Sequence, residues 1–209
     1  MTPVFQVFPK MARLSREIVI TEKLDGTNAQ LYITMDDPAE GPAPLVATVV
    51  TEVGPMYLYA GSRNRWITPN DDNFGFAAWV ADNCLKLAGL GPGRHFGEWW
   101  GRGIQRGYGM SDRKFSLFNT SRWKTCCSDA VGRDILPSMP DIGLVPVLYQ
   151  GLFSTQAVEA CIAVLRDNGS CAAPGFMDPE GVVVFHTAAN VWFKKTLHND
   201  ESPKSSRKQ

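Results

Sequence analysis

Net charge is the first thing this chain lacks. Lys and Arg number 21, and so do Asp and Glu. A polyanion is therefore not drawn in by overall charge, and any nucleic-acid partner must be met by a local patch. Long apolar runs are also absent. None approaches the ~18 residues of a membrane span, and residues 1–16, broken by Pro3, Pro9, Lys10 and Arg13, lack the apolar stretch and cleavage site of a secretory leader. Cysteine is sparse and badly spaced for metal or disulfide work. Of the five, Cys126 and Cys127 are adjacent, Cys84, Cys161 and Cys171 stand alone, and no CxxC exists. This predicts incidental thiols and a cytoplasmic setting. His95, His186 and His198 are scattered, which predicts structural rather than catalytic histidines.

What is present can build a core. Hydrophobic residues make up 44% of the 209, and charged residues 20%, which excludes a disordered chain. β-branched runs predict strands at Glu17–Lys23, Asn28–Thr34, Leu45–Glu52, Gly181–His186 and Val191–Leu197, with others at Arg94–Trp100, Phe115–Asn119 and Leu144–Gln150. Helical spacing of Phe76, Val80, Cys84 and Leu87 predicts a helix over Phe74–Leu90. Ser154 and Gly169 bracket a second helix striped by Val158, Ile162 and Leu165. Strands outnumber helices without alternating regularly, so an antiparallel-dominated α+β domain is expected. Thr120–Gly143 reads as irregular and 199–209 as a polar, disordered tail.

The chemistry begins at Glu22-Lys23-Leu24-Asp25-Gly26-Thr27-Asn28. Asp-Gly between two strands is a hairpin signal. The same segment also ends a strand on a lysine, and a lysine stripped of its proton by its surroundings is a nucleophile. KLDGTN resembles the KxDGxN signature of the covalent nucleotidyltransferases, the polynucleotide ligases and capping enzymes. The further motifs of that superfamily follow in order. They are Ser62-Arg63-Asn64, Phe96-Gly97-Glu98-Trp99, Phe115-Ser116-Leu117-Phe118, Glu180-Gly181-Val182 and Phe193-Lys194-Lys195. Their wording is most similar to the RNA ligase family near the phage RNA ligase 2 branch.

The resemblance spans Glu22 to Lys195 and implies an ATP-grasp-like ligase fold: an antiparallel nucleotidyltransferase domain with a few packed helices. It implies an adenylyltransferase domain over residues 1–198, without an appended OB-fold domain. It makes Lys23 the residue that takes AMP from ATP. It assigns Glu22, Asp25, Asn28, Arg63, Glu98, Phe118, Lys194 and Lys195 to nucleotide binding and Glu180 to a divalent metal, Mg2+ or Mn2+. The expected partners are RNA ends, with DNA or RNA–DNA hybrid ends as alternatives, in a bacterial or phage-infected cell. A catalytically inactive nucleic-acid-binding relative is the rival from another class. No membrane is implied.

Three positions depart from the family pattern. The usual Lys-x-Lys is Lys194-Lys195-Thr196, so which lysine reaches the α-phosphate stays open. Phe185 and His186 stand where a basic residue is common after Glu-Gly, and Asn119 replaces an aspartate. Between Arg94 and Arg133, eight basic residues face three acids. The basic, glycine-rich stretch Gly101–Gly109 reads either as a phosphate-approaching loop or as a solvated one.

Overall fold

The computed structural model describes residues 3–37, 43–123, 141–198 and 200–201. The expected tail and most of the stretch predicted irregular lie outside them. The described residues hold eleven strands and three fully bounded helices: β1 Glu17–Lys23, β2 Thr27–Thr34, β3 Ala47–Thr51, β4 Gly54–Gly61, β5 Trp66–Ile67, α1 Phe76–Asp82, α2 Cys84–Ala88, β6 Gly93–Gly101, β7 Arg113–Leu117, β8 Ile142–Leu144, β9 Val147–Leu152, α3 Thr155–Asn168, β10 Gly181–His186 and β11 Val191–Thr196. None of the helices is long and apolar enough to cross a membrane. Contacts divide the chain into two units. The first comprises Met1–Lys23, Pro146–Cys171 and Met177–Gln209, and the second Leu24–Val145 and Ala172–Phe176.

The first unit is a four-stranded antiparallel sheet in the order β11-β10-β1-β9. Alternate residues of a strand face one side, and here Ile18 and Ile20 of β1 join Val182 and Val184 of β10 in a buried layer under α3. Helix α3 supplies Cys161, Ile162 and Leu165 to that layer. It starts where Ser154 accepts a hydrogen bond from the Ala157 amide at 3.0 Å, and it stops at Gly169. Both signals were legible in the sequence.

The second unit is built on a sheet ordered β3-β4-β2-β6-β7-β8, with β5 against β4. All its pairs are antiparallel except β7 with β8. One face, carrying Ala29, Leu31, Ile33, Leu58, Trp99 and Phe115, packs on α1 and α2 through Phe76, Val80 and Leu87. The other face carries Asn28, Gln30 and Tyr32 opposite Glu98, Phe96 and Arg94.

Three sequence expectations are corrected. Asp25-Gly26 does not turn a hairpin, since β1 and β2 belong to different sheets. The helix expected over Phe74–Leu90 is two short ones broken at Asn83, whose φ of −111° and ψ of 14° leave the helical region. The strand expected over Leu144–Gln150 is split into β8 and β9 at Pro146, which cannot donate to a ladder. In the stretch Gly101–Gly109, for which two readings stood open, Ile104 and Tyr108 are buried while Arg102, Gly103, Gln105 and Gly109 are exposed.

His95 sits on the helix-packed face of β6, away from Phe96, and is buried. Its Nε2 lies 2.9 Å from the Gly91 carbonyl oxygen, which can only accept, so Nε2 carries the proton. Nδ1 has no hydrogen-bond partner among the described residues, a tolerable state for a lone pair and a costly one for an N–H. Burial lowers the His95 pKa, the Gly91 bond opposes this, and the Arg122 charge adds to the lowering. The unfolded chain then binds more protons than the folded one below about pH 6.5. Stability is complete above that pH and falls as the pH drops through the window. Thermal unfolding at pH 7.5 and 5.5 should show a larger loss for the wild type than for His95→Gln; parallel losses would dismiss His95 as the titrating group.

Candidate active site

Strand β1 is central to the first unit, paired with β10 on one side and β9 on the other. Its register sets Lys23 against Gly181, so the residue before Gly181 reaches the lysine. Lys23 Nζ donates to Glu180 Oε2 at 2.6 Å, with side-chain exposures of 18% and 5%. The pair is thus nearly removed from solvent, and neither group can lose its partner cheaply. Glu22, on the opposite face of the strand, is 1% exposed. It accepts from Ser170 Oγ at 2.5 Å and from the Cys171 amide at 2.8 Å, just past the end of α3. Glu22 is thereby fixed as a buried, hydrogen-bonded carboxylate.

The two lysines of β11 are separated by the pleat. Lys194 lies opposite Val183, itself opposite Thr21, on the same sheet face as Lys23. Lys195 lies opposite Val182 on the face covered by α3, and its Nζ pairs with Glu159 Oε1 of that helix at 3.0 Å. Gly181, with φ of +148°, runs so close to β11 that a Cβ would collide with the Lys195 carbonyl oxygen. Only glycine lets Glu180 enter the strand there. Cys171 is exposed, and burial together with the Glu22 charge raises its pKa; burial raises that of Cys161 also. Neither thiol is activated, as the sequence led one to expect.

In the second unit the segment after Lys23 is held by side chains from distant strands and loops. The Asp25 amide donates to Tyr108 Oη at 2.9 Å, and Arg106 Nε donates to Asp25 Oδ2 at 3.0 Å. The Gly26 amide donates to Glu98 Oε1 at 3.1 Å. A Cβ on Gly26 would overlap the Trp99 carbonyl oxygen and press on Trp100 Cβ, so the turn lies flat on β6. Beneath it, Leu24, Trp100, Tyr108, Val145 and Ala173 form a small buried cluster. Trp100 Nε1 donates to Ser116 Oγ at 2.9 Å.

Asn28 and Glu98 are directly opposite across β2 and β6. Phe118 follows β7, is 38% exposed, and its amide donates to the Phe96 carbonyl. Asn119, in place of an aspartate, accepts from the Arg122 amide at 3.1 Å and so caps a helical turn. Arg63 is exposed in the loop after β4, whereas its neighbour Arg65 is committed to Asp71 through bonds of 2.6 and 2.9 Å.

The structure therefore groups Glu22, Lys23, Glu180, Lys194 and Lys195 in one unit, and Asp25, Asn28, Arg63, Glu98 and Phe118 in the other. Sequence reasoning missed Arg106, Tyr108 and Ser170. Positive φ at Gln105 (46°) and Tyr108 (52°) marks the loop that delivers the first two as constrained. Its glycine density was the only available signal. Among the described residues no cluster of three His, Cys, Asp or Glu side chains could hold a metal.

The family model described as RNA ligase matches residues 16–196. No curated protein sequence matches the chain. Solved structures of Naegleria gruberi RNA ligase share the fold. An arginine-to-alanine mutant with ATP and Mn aligns with a TM-score of 0.52 at 17% identity, over 88% of this chain and 51% of that one. A glutamate-to-alanine mutant with ATP and Mn gives 0.55 at 16%, over 88% and 51%. An apo aspartate-to-alanine mutant gives 0.55 at 17%, over 87% and 49%. The chain spans about half the length of these structures. The antiparallel nucleotidyltransferase-like fold expected from the motifs is the fold found.

The bonds around Asp25 are open to test. Removing one partner of the Asp25–Arg106 pair should cost roughly 2–3 kcal/mol, the low side for a buried pair because both groups keep some solvent. Tyr108→Phe, which removes the hydroxyl that accepts from the Asp25 amide, should cost about 1 kcal/mol. Urea unfolding of Arg106→Ala and Tyr108→Phe measures both. Equal stability of Arg106→Ala and the wild type would mean that the pair does not hold the turn.

Proposed function

Because this chain belongs to the RNA ligase family, we propose that it joins RNA ends by an ATP-dependent route in which Lys23 is the covalently adenylylated residue. The observation that carries this is the 2.6 Å contact between Lys23 Nζ and Glu180 Oε2, in the two motifs where the family chemistry needs an amine and a carboxylate. The ATP of the Naegleria structures supports the choice of nucleotide, and the EKLDGTN, SRN and FGEW wording supports placement near the phage RNA ligase 2 branch.

The amine attacks only after losing a proton, and Glu180, whose Oε2 accepts from Nζ at 2.6 Å, is proposed to receive it. Nζ then bonds to the α-phosphorus as the bond to pyrophosphate breaks. AMP next passes to a 5′-phosphate, and a 3′-hydroxyl displaces it to form the phosphodiester. Charge gathers on non-bridging oxygens in each step, so fixed cations lower the barrier. Lys194 is proposed for the α-phosphate, since it shares a sheet face with Lys23 while Lys195 is engaged by Glu159. Glu98 and Asn28 are assigned to the ribose, Phe118 to the base, Arg63 to sugar and phosphate. Asp25 and the buried Glu22 are assigned to shaping the nucleotide site.

A divalent cation such as magnesium fits the donor set in a limited way. Magnesium takes one or two protein carboxylates and completes its shell with phosphates and water, and Glu180 offers one such carboxylate. When bound it would neutralise phosphate charge.

Incubation with ATP and Mg2+ should add one AMP to the wild type by intact-protein mass spectrometry, and none to Lys23→Ala. Labelling of Lys23→Ala would remove the lysine from its role. Glu180→Ala should lose most labelling with its fold intact, whereas full labelling would place metal and proton transfer elsewhere. Lys194→Ala should lose more labelling than Lys195→Ala, which removes only a partly exposed ion pair; the reverse order would reassign the α-phosphate contact. Sealing of matched RNA and DNA nicks separates an RNA ligase from a DNA or mixed-end joiner.

A further inference from the structure

The face of the second sheet turned away from α1 and α2 carries a cluster that the adenylylation chemistry does not use. Tyr32, Tyr59 and Trp66 touch one another, with ring centroids 5.7–6.3 Å apart. The Arg94 guanidinium lies over Tyr32 at 4.3 Å and over Trp66 at 5.5 Å from their centroids. Arg94 Nη1 also donates to Gln30 Oε1 at 3.0 Å. Arg94 is exposed, and among the described residues it takes part in no ion pair. A cation spread flat on a bed of rings is held in orientation while its outer face stays open.

Arg94 does not stand alone on this face. Register places Arg94, Phe96 and Glu98 of β6 on the same side, opposite Tyr32, Gln30 and Asn28 of β2. Residues two apart in a strand are about 6.8 Å apart. A planar cation, an aromatic ring and the proposed ribose acceptor thus form one row. Phe96 is 46% exposed, which is wasteful for a ring with only a structural role. The nearby acids are few. Asp36 and Asp37 follow β2 at the far end, and Asp37 acts on the Tyr59 hydroxyl, whose pKa is raised first by desolvation and then by Tyr32, Asp37 and Tyr57.

We propose that this row is a docking platform for an RNA strand, whose bases stack on Phe96 and on the outer face of Arg94 while Arg94 meets its phosphate charge. The chemistry favours this occupant. Aromatic and guanidinium planes accept any base, and an uncompensated cation suits a polyanion. The inference rests on the RNA-joining reading and extends it to where the strand lies.

The test uses the full chain and a fluorescein-labelled, 5′-phosphorylated single-stranded oligoribonucleotide, read by fluorescence anisotropy at two salt concentrations. Arg94→Ala and Phe96→Ala should each weaken binding on the order of ten-fold, and Arg94→Ala should also flatten the salt dependence. Arg94→Lys should restore the salt dependence but not the lost stacking. Unfolding midpoints distinguish a staple from a platform: a purely structural cluster would shift the midpoint of Arg94→Ala and leave the affinity of folded Phe96→Ala unchanged. Unchanged affinity in both folded variants overturns the proposal and gives the face to some other partner. Failure of the wild type to take up AMP from ATP overturns the ligase reading instead, and is scored in a separate assay without RNA.

Discussion

An antiparallel register sets the proposed chemistry. β1 ends on Lys23 opposite Gly181, and the ladder between them brings an amine to a carboxylate 157 residues away in the chain. Nothing local to either motif could do this. The lysine is held by a strand flanked on both sides, so its backbone is fixed by hydrogen bonds along its length rather than by a loop. Sites carried on regular elements are more precise than sites on loops, and an amine that must reach a phosphorus atom in line gains directly from that. The same ladder explains the glycine of the Glu-Gly pair. β10 and β11 approach so closely at Gly181 that a side chain would force them apart, shifting Glu180 with them.

The segment following the lysine solves a different problem. Asp25 and Gly26 leave one sheet and enter another, so their amides cannot be satisfied by a hairpin ladder. Buried amides without partners are costly, and here side chains take over: Tyr108 for Asp25 and Glu98 for Gly26. Glu98 consequently has a structural load besides the ribose role proposed for it. Removing it would both unlatch the turn and delete a ligand contact, and the two effects would be mixed in any single activity measurement. Arg106 and Tyr108 offer a second handle on the turn, because no nucleotide contact is proposed for either.

Much of this was legible in the sequence, and the limits have physical causes. The bounds of β1 and β10 follow from β-branched runs, and the α3 boundaries follow from Ser154 and Gly169, all local signals. The motif order brought Lys23 and Glu180 onto one list, but their contact depends on strand register, which no local pattern specifies. The hairpin reading of Asp25-Gly26 failed because turn chemistry reports a reversal and not which strand is met afterwards. Asn83 leaves the helical region in a segment whose apolar spacing continues across it, so periodicity alone does not mark the break. Arg106 and Tyr108 were hidden in a basic, glycine-rich run that composition leaves open between a phosphate-approaching loop and a solvated one. Lys194 and Lys195 were indistinguishable as letters. The pleat separates them, and Glu159 on α3 marks which of them faces the helix.

The neutral net charge with which the sequence began now has a structural reading. Four cations of the described residues are neutralised in place: Lys23 by Glu180, Arg106 by Asp25, Arg65 by Asp71 and Lys195 by Glu159. A partner that is itself anionic gains little from a cation already paired, since it must first displace a carboxylate. Those left to meet it are the cations held without a carboxylate, and Arg94 is one, oriented by aromatic rings instead. Rings fix a guanidinium without cancelling its charge. A chain with equal numbers of each sign can therefore still present a directed positive surface, provided that aromatic packing rather than ion pairing holds the basic side chains in place.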